Sequence, residues 1–256
     1  MFDAMMTTDH DPKLSDYTDV IGVGIEFAFQ PLVQRSAECV FGYEALVRGR
    51  SGEPASSIIA NVRPENLVYF DQACRSRAIQ DAAEVGIQSN LFLNCTQITP
   101  GNLDKMLAVT REQADRFGFD RGKVVLEFSS LVRLGNPREL AAVRDKANAA
   151  GFKVLADNFG TGEAGLKRLV VFSPEFIKLD REVINRIHTS RRRQAMVLGM
   201  VATCRALNIE VIATGVERAE EVEWLQQAGV DHFQGYYFAR PEVQAKPQVA
   251  SELLGN

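Results

Sequence analysis

The chain has 256 residues, of which 46% are hydrophobic, so it is long enough to bury one sizeable core. Its 29 basic and 33 acidic residues leave a formal net charge of -4, which gives no reason to expect a nucleic-acid partner, although a small anionic ligand is compatible with it. Four widely spaced cysteines without a CxxC pair are typical of reduced thiols in a cytoplasmic protein, and the apolar runs are too short to cross a membrane.

The chain begins with a polar stretch, residues 1–20, that we expect to be a flexible tail and that lacks the pattern of a signal peptide. We expect residues 21–256 to form one domain. Two alternating runs, 22–29 and 39–48, are separated by a polar turn and predict an opening hairpin. A helical pattern over 67–85 then leads to a short strand that ends in Asn94.

The rest of the chain repeats one theme, an apolar strand that ends on a polar residue and is followed by an amphipathic segment. We expect helices over 103–117, 139–149, 193–207 and 219–228, and strand-end polar residues at Glu127, Asp157, Lys178, Thr214 and Gln234. The steps between strand ends have the length of a βα unit. This alternation predicts a parallel sheet closed into a (β/α)8-like barrel. An open doubly wound sheet is the alternative, but no glycine-rich phosphate loop follows an early strand.

Polar strand ends meet at one rim of such a barrel, where Glu44, Asn94, Glu127 and Asp157 would offer three carboxylates and one amide oxygen. Oxygen ligands of this kind suit Mg²⁺, Mn²⁺ or Ca²⁺. The alternative is that each carboxylate caps a helix or pairs with a surface cation. Lys178, inside an apolar strand, could orient a water or neutralise an anion, or it could pair with an aspartate inside the rim.

Together these segments resemble the EAL domain family from about Phe27 to Pro241. The resemblance rests on ordered motifs at 29–31, 44–48, 93–94, 126–127, 157–162, 177–180, 215–217 and 234–236. It implies a modified TIM barrel whose first strand is antiparallel, with a ligand groove at the carboxyl ends of the strands. In active members of the family, two divalent cations activate a water that attacks one phosphodiester of cyclic di-GMP and gives pGpG.

The resemblance also implies roles for individual residues. It implies a first metal site made of Glu44, Asn94, Glu127 and Asp157, and a contact between Lys178 and the attacking water, with Glu217 in a supporting role. The ligand-binding positions that it implies are Gln30, Glu44, Leu46, Arg48, Asn158, Asp180 and Gln234.

Four departures from the family pattern argue against an active enzyme. Active members carry an aspartate at the position of Asn158 and a glutamate at the position of Thr214, so the second metal site lacks two negative charges. Ser130 replaces a further glutamate, and residues 162–165 differ from the usual loop sequence. We therefore expect an incomplete two-metal site that holds one Mg²⁺, Mn²⁺ or Ca²⁺, and hydrolysis that is absent or very slow.

Three functions are compatible with this pattern. The chain is a non-catalytic cyclic di-GMP receptor or protein-binding regulator, or a weak metal-dependent cyclic di-GMP phosphodiesterase, or an interaction scaffold that binds no nucleotide. We expect a separate signalling protein as partner and a cytoplasmic location, with a homodimer as an open alternative and no nucleic acid or membrane as partner. The retained Gln30, Arg48 and Gln234 favour the receptor.

Overall fold

The computed structural model describes residues 24–131, 134–160 and 166–255. The expected tail at 1–20 and the loop segment 162–165 lie outside these ranges. The described strands are β1 (Ile25–Gln34), β2 (Cys39–Gly49), β3 (Asn90–Asn94), β4 (Val124–Phe128), β5 (Lys153–Phe159), β6 (Phe176–Leu179), β7 (Glu210–Thr214), β8 (His232–Gln234) and the short β9 (Glu242–Val243).

The described α-helices alternate with the strands. They are α1 (Ala55–Asn61), α2 (Leu67–Glu84), α3 (Leu103–Arg116), α4 (Pro137–Ala149), α5 (Leu166–Phe172), α6 (Arg181–Ile184), α7 (Arg191–Ala206), α8 (Ala219–Gln227) and α9 (Ser251–Leu254). Helices α4 and α7 each begin two residues earlier than the sequence pattern predicts. Capping explains both, because the Asn136 side chain accepts from the N–H groups of Arg138 and Glu139, and the Ser190 side chain accepts from the N–H of Arg193.

The strands close into a barrel. Strands β2 to β8 are parallel neighbours in chain order, and β1 pairs antiparallel with both β2 and β8. The predicted hairpin and the predicted modified (β/α)8 TIM-like barrel with an antiparallel first strand are therefore confirmed. A large apolar core lies between the strands and the surrounding helices, and none of the described helices is both long and apolar enough to cross a membrane.

Inside the barrel, side chains form two layers. The lower layer is a small apolar cluster of Leu32, Phe92, Val125, Leu155, Phe176 and Ile212, with Phe41 packed against it. Because strand side chains alternate with a period of two, the residues two positions further toward the rim also point inward. These residues are Gln30, Asn94, Glu127, Asp157, Lys178 and Thr214, and with Glu44 of β2 and Gln234 of β8 they form the upper layer, which is polar. The fold thus carries the polar strand ends to one closed ring.

Candidate functional site

Lys178 lies at the centre of the upper layer, where its side chain is 3% exposed. Its Nζ is 2.8 Å from Glu44 Oε2 and 2.6 Å from Glu127 Oε1, and it lies over the Phe92 ring of the lower layer. The sequence allowed for an aspartate partner, whereas the partners in the structure are two glutamates from β2 and β4. One buried cation therefore neutralises two strands' carboxylates at once.

Glu44 collects hydrogen bonds from three sides of the ring. Its Oε2 accepts from Lys178 Nζ and, at 2.8 Å, from Gln234 Nε2, while its Oε1 accepts from Asn94 Nδ2 at 3.2 Å. Gln234 Nε2 also lies 3.4 Å from Gln30 Oε1, so these two amides join the same network. With Glu127, which contacts Lys178, six of the predicted site residues thus belong to one connected network.

The pKa values of the two glutamates shift in opposite directions. Burial by itself would raise the pKa of Glu44, but the charge of Lys178 and the hydrogen bonds from Lys178, Gln234 and Asn94 lower it below its usual value. Burial and the nearby charge of Glu44 raise the pKa of Glu127 well above its usual value, against the effect of Lys178. Burial alone would lower the pKa of Lys178, but the two glutamates and Asp157 raise it, so the ammonium stays charged.

Asp157 and Asn158 end the inward face of β5. Asp157 is half-buried, and burial raises its pKa, with Lys178 opposing that rise and Glu44 adding to it. Asp157 therefore shares the field of the buried cluster. Asn158 is exposed, has a left-handed backbone with φ of 53°, and donates from Nδ2 to Asp157 Oδ2 at 3.1 Å.

On the opposite side of the rim, the polar side chains bond to neighbouring groups on that same side. The Thr214 hydroxyl donates to the Leu179 carbonyl at 2.9 Å, and Glu217 forms an ion pair with Arg181. Asp180 caps α6 by accepting from the Glu182 N–H at 2.7 Å. The structure thus places Thr214, Glu217 and Asp180 at the correct end of the barrel but does not connect them to the Lys178 network. Thr214 and Glu217 border a cavity of about 420 Å³ that Gln30, Gln234 and Tyr236 also line.

Leu46 and Arg48 follow Glu44 along β2. Leu46 is half-buried and lines a second cavity of about 240 Å³ beside Glu44 and Asn94. Arg48 is half-buried, and its Nη1 donates to the carbonyl of its neighbour Val47 at 2.8 Å. Neither side chain contacts the Lys178 network, so a role for either residue requires a ligand that reaches over the rim.

The donor set fits one hard cation. Glu44, Asn94, Glu127 and Asp157 supply carboxylate and amide oxygens, and Glu127 Oε2 is buried without a hydrogen-bond partner. Within residues 24–131, 134–160 and 166–255, no three His, Cys, Asp or Glu side chains converge as a metal-binding group, and Lys178 rather than an ion joins the two glutamates. In this structure, the ammonium group of Lys178 therefore bridges the carboxylates of Glu44 and Glu127.

One buried group beside the site was missed by the sequence reasoning. Asp71 and Arg75 of α2 form a buried ion pair, and Asp71 Oδ1 also accepts from both the N–H and the hydroxyl of Thr96. In the sequence, an Asp and an Arg four residues apart on a helix read as a solvated surface pair. The signal that could have found them is their position among Phe70, Ala78 and Ile79 on the buried face.

A family model described as EAL domain matches residues 20–241. Among curated proteins, the chain is 28% identical over 226 residues to the blue light- and temperature-regulated antirepressor BluF of Escherichia coli K12, covering 88% of this chain and 56% of that protein. It is 32% identical over 235 residues to the cyclic di-GMP phosphodiesterase PdeR of the same organism, covering 88% of this chain and 34% of that protein. The chain thus spans about half or less of the length of these relatives.

Two solved structures are also similar. A standalone versatile EAL protein from Vibrio cholerae O395, in its c-di-GMP-bound form, superposes with a TM-score of 0.84 at 35% identity, covering 90% of this chain and 97% of that one. The calcium/cy-diGMP complex of Klebsiella pneumoniae BlrP1 superposes with a TM-score of 0.81 at 30% identity, covering 90% of this chain and 58% of that one.

Proposed function

The chain belongs to the EAL domain family, and from that premise we propose that it is a degenerate member that acts as a non-catalytic cyclic di-GMP receptor or protein-binding regulator in bacterial second-messenger signalling. The observation that carries the proposal is the difference between the two sides of the rim. One side has a complete set of oxygen donors around Lys178, whereas the other offers an amide at Asn158 and a hydroxyl at Thr214.

The complete side would hold one divalent cation through Glu44, Asn94, Glu127 and Asp157. Mg²⁺, Mn²⁺ or Ca²⁺ each suit such donors, and the bound ion would supply electrostatic stabilisation to a phosphate oxygen. Lys178 is paired with Glu44 and Glu127, so it lowers the net negative charge that an anionic ligand would meet beside the cation. These residues bind and orient a phosphodiester without a second cation.

The incomplete side lacks the charge that activates a water. Asn158 donates its amide to Asp157, and the Thr214 hydroxyl is engaged with the Leu179 carbonyl. Neither group accepts a proton near neutral pH, and Glu217 is paired with Arg181. Losing one metal's stabilisation costs several kcal/mol of barrier, and each ~1.4 kcal/mol is tenfold in rate. This arrangement is therefore expected to bind cyclic di-GMP without hydrolysing it.

Two similarities favour the other candidate functions. The likeness to the phosphodiesterase PdeR favours weak metal-dependent hydrolysis of cyclic di-GMP to pGpG, with Lys178 contacting the attacking water and Glu217 supporting it. The likeness to the antirepressor BluF favours regulation through a protein partner, with or without nucleotide. A separate signalling chain as partner, a homodimer and a cytoplasmic location remain part of the proposal.

The deciding experiment compares turnover and binding in the same preparation. Purified protein in millimolar Mg²⁺ or Mn²⁺ is expected to bind cyclic di-GMP in a calorimetric titration and to release no pGpG by chromatography. Robust turnover to pGpG would establish the phosphodiesterase instead. Absence of binding with and without the cation would leave the nucleotide-independent scaffold.

Restoring the missing carboxylates should create activity. We expect Asn158→Asp combined with Thr214→Glu to raise the hydrolysis rate by more than the two single variants predict together, because both groups would serve one site. Asn208→Asp is the matched control, since Asn208 is also exposed with a left-handed backbone, φ 55°, but precedes β7 at the other end of the barrel. Equal rates in the double variant and the control would contradict the two-sided account of the rim.

Arg48 should contribute to nucleotide affinity by forking onto a phosphate. A charge-assisted hydrogen bond of this kind is worth about 1.5–3 kcal/mol, so Arg48→Ala is expected to weaken cyclic di-GMP binding about tenfold or more. Arg63→Ala, on the exposed turn before α2, provides the control. An unchanged dissociation constant in Arg48→Ala would remove Arg48 from the binding surface.

A further inference from the structure

A buried ion pair lies directly behind the Lys178 network. Arg75 and Asp71 are 2% and 6% exposed, and both belong to α2. Asp71 uses both carboxylate oxygens: Oδ2 faces Arg75, and Oδ1 accepts from the Thr96 N–H at 2.9 Å and the Thr96 hydroxyl at 2.8 Å. Three donors from two elements thus converge on one buried carboxylate.

Stability alone does not account for this pair. Removing two charges from water is costly, and replacing a buried ion pair by apolar side chains of similar volume is often neutral or stabilising. The surroundings would accept such side chains, because the cavity wall beside the pair is formed by Phe27, Phe70 and Leu93. The pair must therefore be explained by what its remaining hydrogen bonds hold in place.

Those hydrogen bonds hold the two residues that follow Asn94. The Cys95 N–H donates to the Glu127 carbonyl at 2.9 Å, which extends the pairing of β3 and β4 by one residue. The Thr96 N–H, one residue later, no longer pairs with β4 and instead donates to Asp71. The chain leaving β3 is thus clamped between β4 and α2 immediately after Asn94.

We propose that Asp71, held by Arg75, is a positioning residue that directs the Asn94 side chain at Glu44. The clamp at Cys95 and Thr96 fixes the backbone from which Asn94 reaches Glu44 Oε1. Arg75 orients the Asp71 carboxylate through their ion pair, which links helix α2 to the segment that follows Asn94. The consequence for ligand binding rests on the proposed one-cation function, because Asn94 and Glu44 would both contact that cation.

The test removes one hydrogen bond of the clamp without changing its shape. Thr96→Val deletes the hydroxyl bonded to Asp71, and Thr96→Ser restores it. Thr110→Val is the matched control, because Thr110 is fully buried and its hydroxyl bonds to the Met106 carbonyl inside α3. A fourth variant, Asp71→Leu with Arg75→Met, replaces the whole pair by apolar side chains.

Two readouts are taken for each variant, together with its unfolding midpoint. The first is the ¹⁵N–¹H resonance of the Asn94 side-chain amide in protein free of metal and nucleotide. The second is the dissociation constant for Mn²⁺. We expect Thr96→Val and the double variant to shift the Asn94 resonance and to weaken Mn²⁺ binding about tenfold, the lower end for partners that orient metal ligands. Thr96→Ser should restore the parent protein's Asn94 resonance and Mn²⁺ dissociation constant, and Thr110→Val should change neither of them.

The outcomes separate this proposal from the proposed function. An unshifted Asn94 resonance in both Thr96→Val and the double variant would overturn the positioning role, whatever Mn²⁺ does. A shifted resonance in a protein whose parent form binds no Mn²⁺ would keep the positioning role and remove the one-cation site. Because the double variant is expected to retain its unfolding midpoint, a shift there would not arise from general destabilisation.

Discussion

The two layers inside the barrel come largely from the same strands, and on six of these strands they lie only two residues apart. Phe92 and Asn94 both belong to β3, and Phe176 and Lys178 both belong to β6. The lower layer is apolar and, apart from the partly buried Phe41, fully buried, whereas the upper layer buries the charged Lys178, Glu44 and Glu127. The same backbone therefore supports two opposite chemical environments a single pleat apart.

The two layers therefore differ in role: the lower layer stabilises the barrel, whereas the upper layer carries the polar groups that would bind a ligand. Burying each apolar side chain of the lower layer contributes about 1.5–3 kcal/mol relative to exposure. The upper layer contributes no such gain, because Lys178, Glu44 and Glu127 lose hydration and recover it only through one another. The polar upper layer is therefore not explained by its contribution to stability.

The largest expected effect comes from breaking the upper layer at its cation. Lys178→Met leaves Glu44 and Glu127 buried without a counter-charge, and breaking a buried pair in this way costs about 3–5 kcal/mol. Urea unfolding in the presence of a chelator should show this loss. Millimolar Mg²⁺ or Mn²⁺ should reverse much of it, because an ion held by the glutamates takes over the role of the lysine.

The lower layer supplies the control for that experiment. Ile212→Ala should cost about 2–5 kcal/mol through lost burial and a cavity, and the cation should restore none of it. A loss in Lys178→Met that the cation leaves untouched would mean that the glutamates do not hold a metal. Equal recovery in both variants would mean that the ion acts elsewhere in the protein.

The next effect tests His232, an ionisable group that packs against the lower layer. Its ring packs edge-on against Phe41 with centroids 4.5 Å apart and an interplanar angle of 66°. Its Nδ1 lies 3.3 Å from Glu210 Oε2, and its Nε2 is buried without a hydrogen-bond partner. Burial lowers the pKa of His232 below its usual value, with Glu210 and Asp231 opposing that shift. The neutral ring is therefore the form that the apolar layer accepts.

The direction of the pH effect follows from this shift. Because the unfolded chain binds the proton more readily, the stability contribution of His232 is complete above about pH 6.5 and is lost as the pH falls toward the folded-state pKa. Each pH unit in that window costs about 1.4 kcal/mol. The free energy of unfolding is measured in urea between pH 4 and 8. Its dependence on pH in this window should be flatter in His232→Leu and steeper in Glu210→Gln. If the pH dependence of the unfolding free energy were unchanged in both variants, groups other than His232 would account for the loss of stability at acidic pH.

The layers also explain what could be predicted from the sequence. Asn94, Glu127 and Gln234 were found because each is a polar residue that ends a short, largely apolar strand, which is a local pattern. The closure of the barrel and the meeting of these residues at one end followed from the repeated βα lengths. The barrel and most residues of the ring could therefore be predicted from one sequence, whereas the antiparallel first strand and the role of Gln30 were implied by the family resemblance.

The hydrogen-bond and ion-pair partners of the ring residues could not be predicted in the same way. The hydrogen bond from Gln234 to Glu44 joins residues 190 positions apart, and the pair of Lys178 with two glutamates depends on side-chain reach across the barrel. The Asp71 clamp was missed because its role depends on Thr96, which lies on another element. Local pattern predicts which residues face inward, while the choice of partner is set by tertiary packing.

The smallest expected effect tests whether Thr214 belongs to the charged network or only to the ring. Its hydroxyl donates to the Leu179 carbonyl and makes no contact with Lys178 or the glutamates, so Thr214→Val should lose one hydrogen bond, worth about 0.5–1.5 kcal/mol. The stabilisation that millimolar Mn²⁺ gives in urea unfolding should be the same in Thr214→Val as in the parent protein. If the variant instead lost that increment, Thr214 would act on the cation despite its distance from the network, and the division of the rim into a complete and an incomplete side would be wrong.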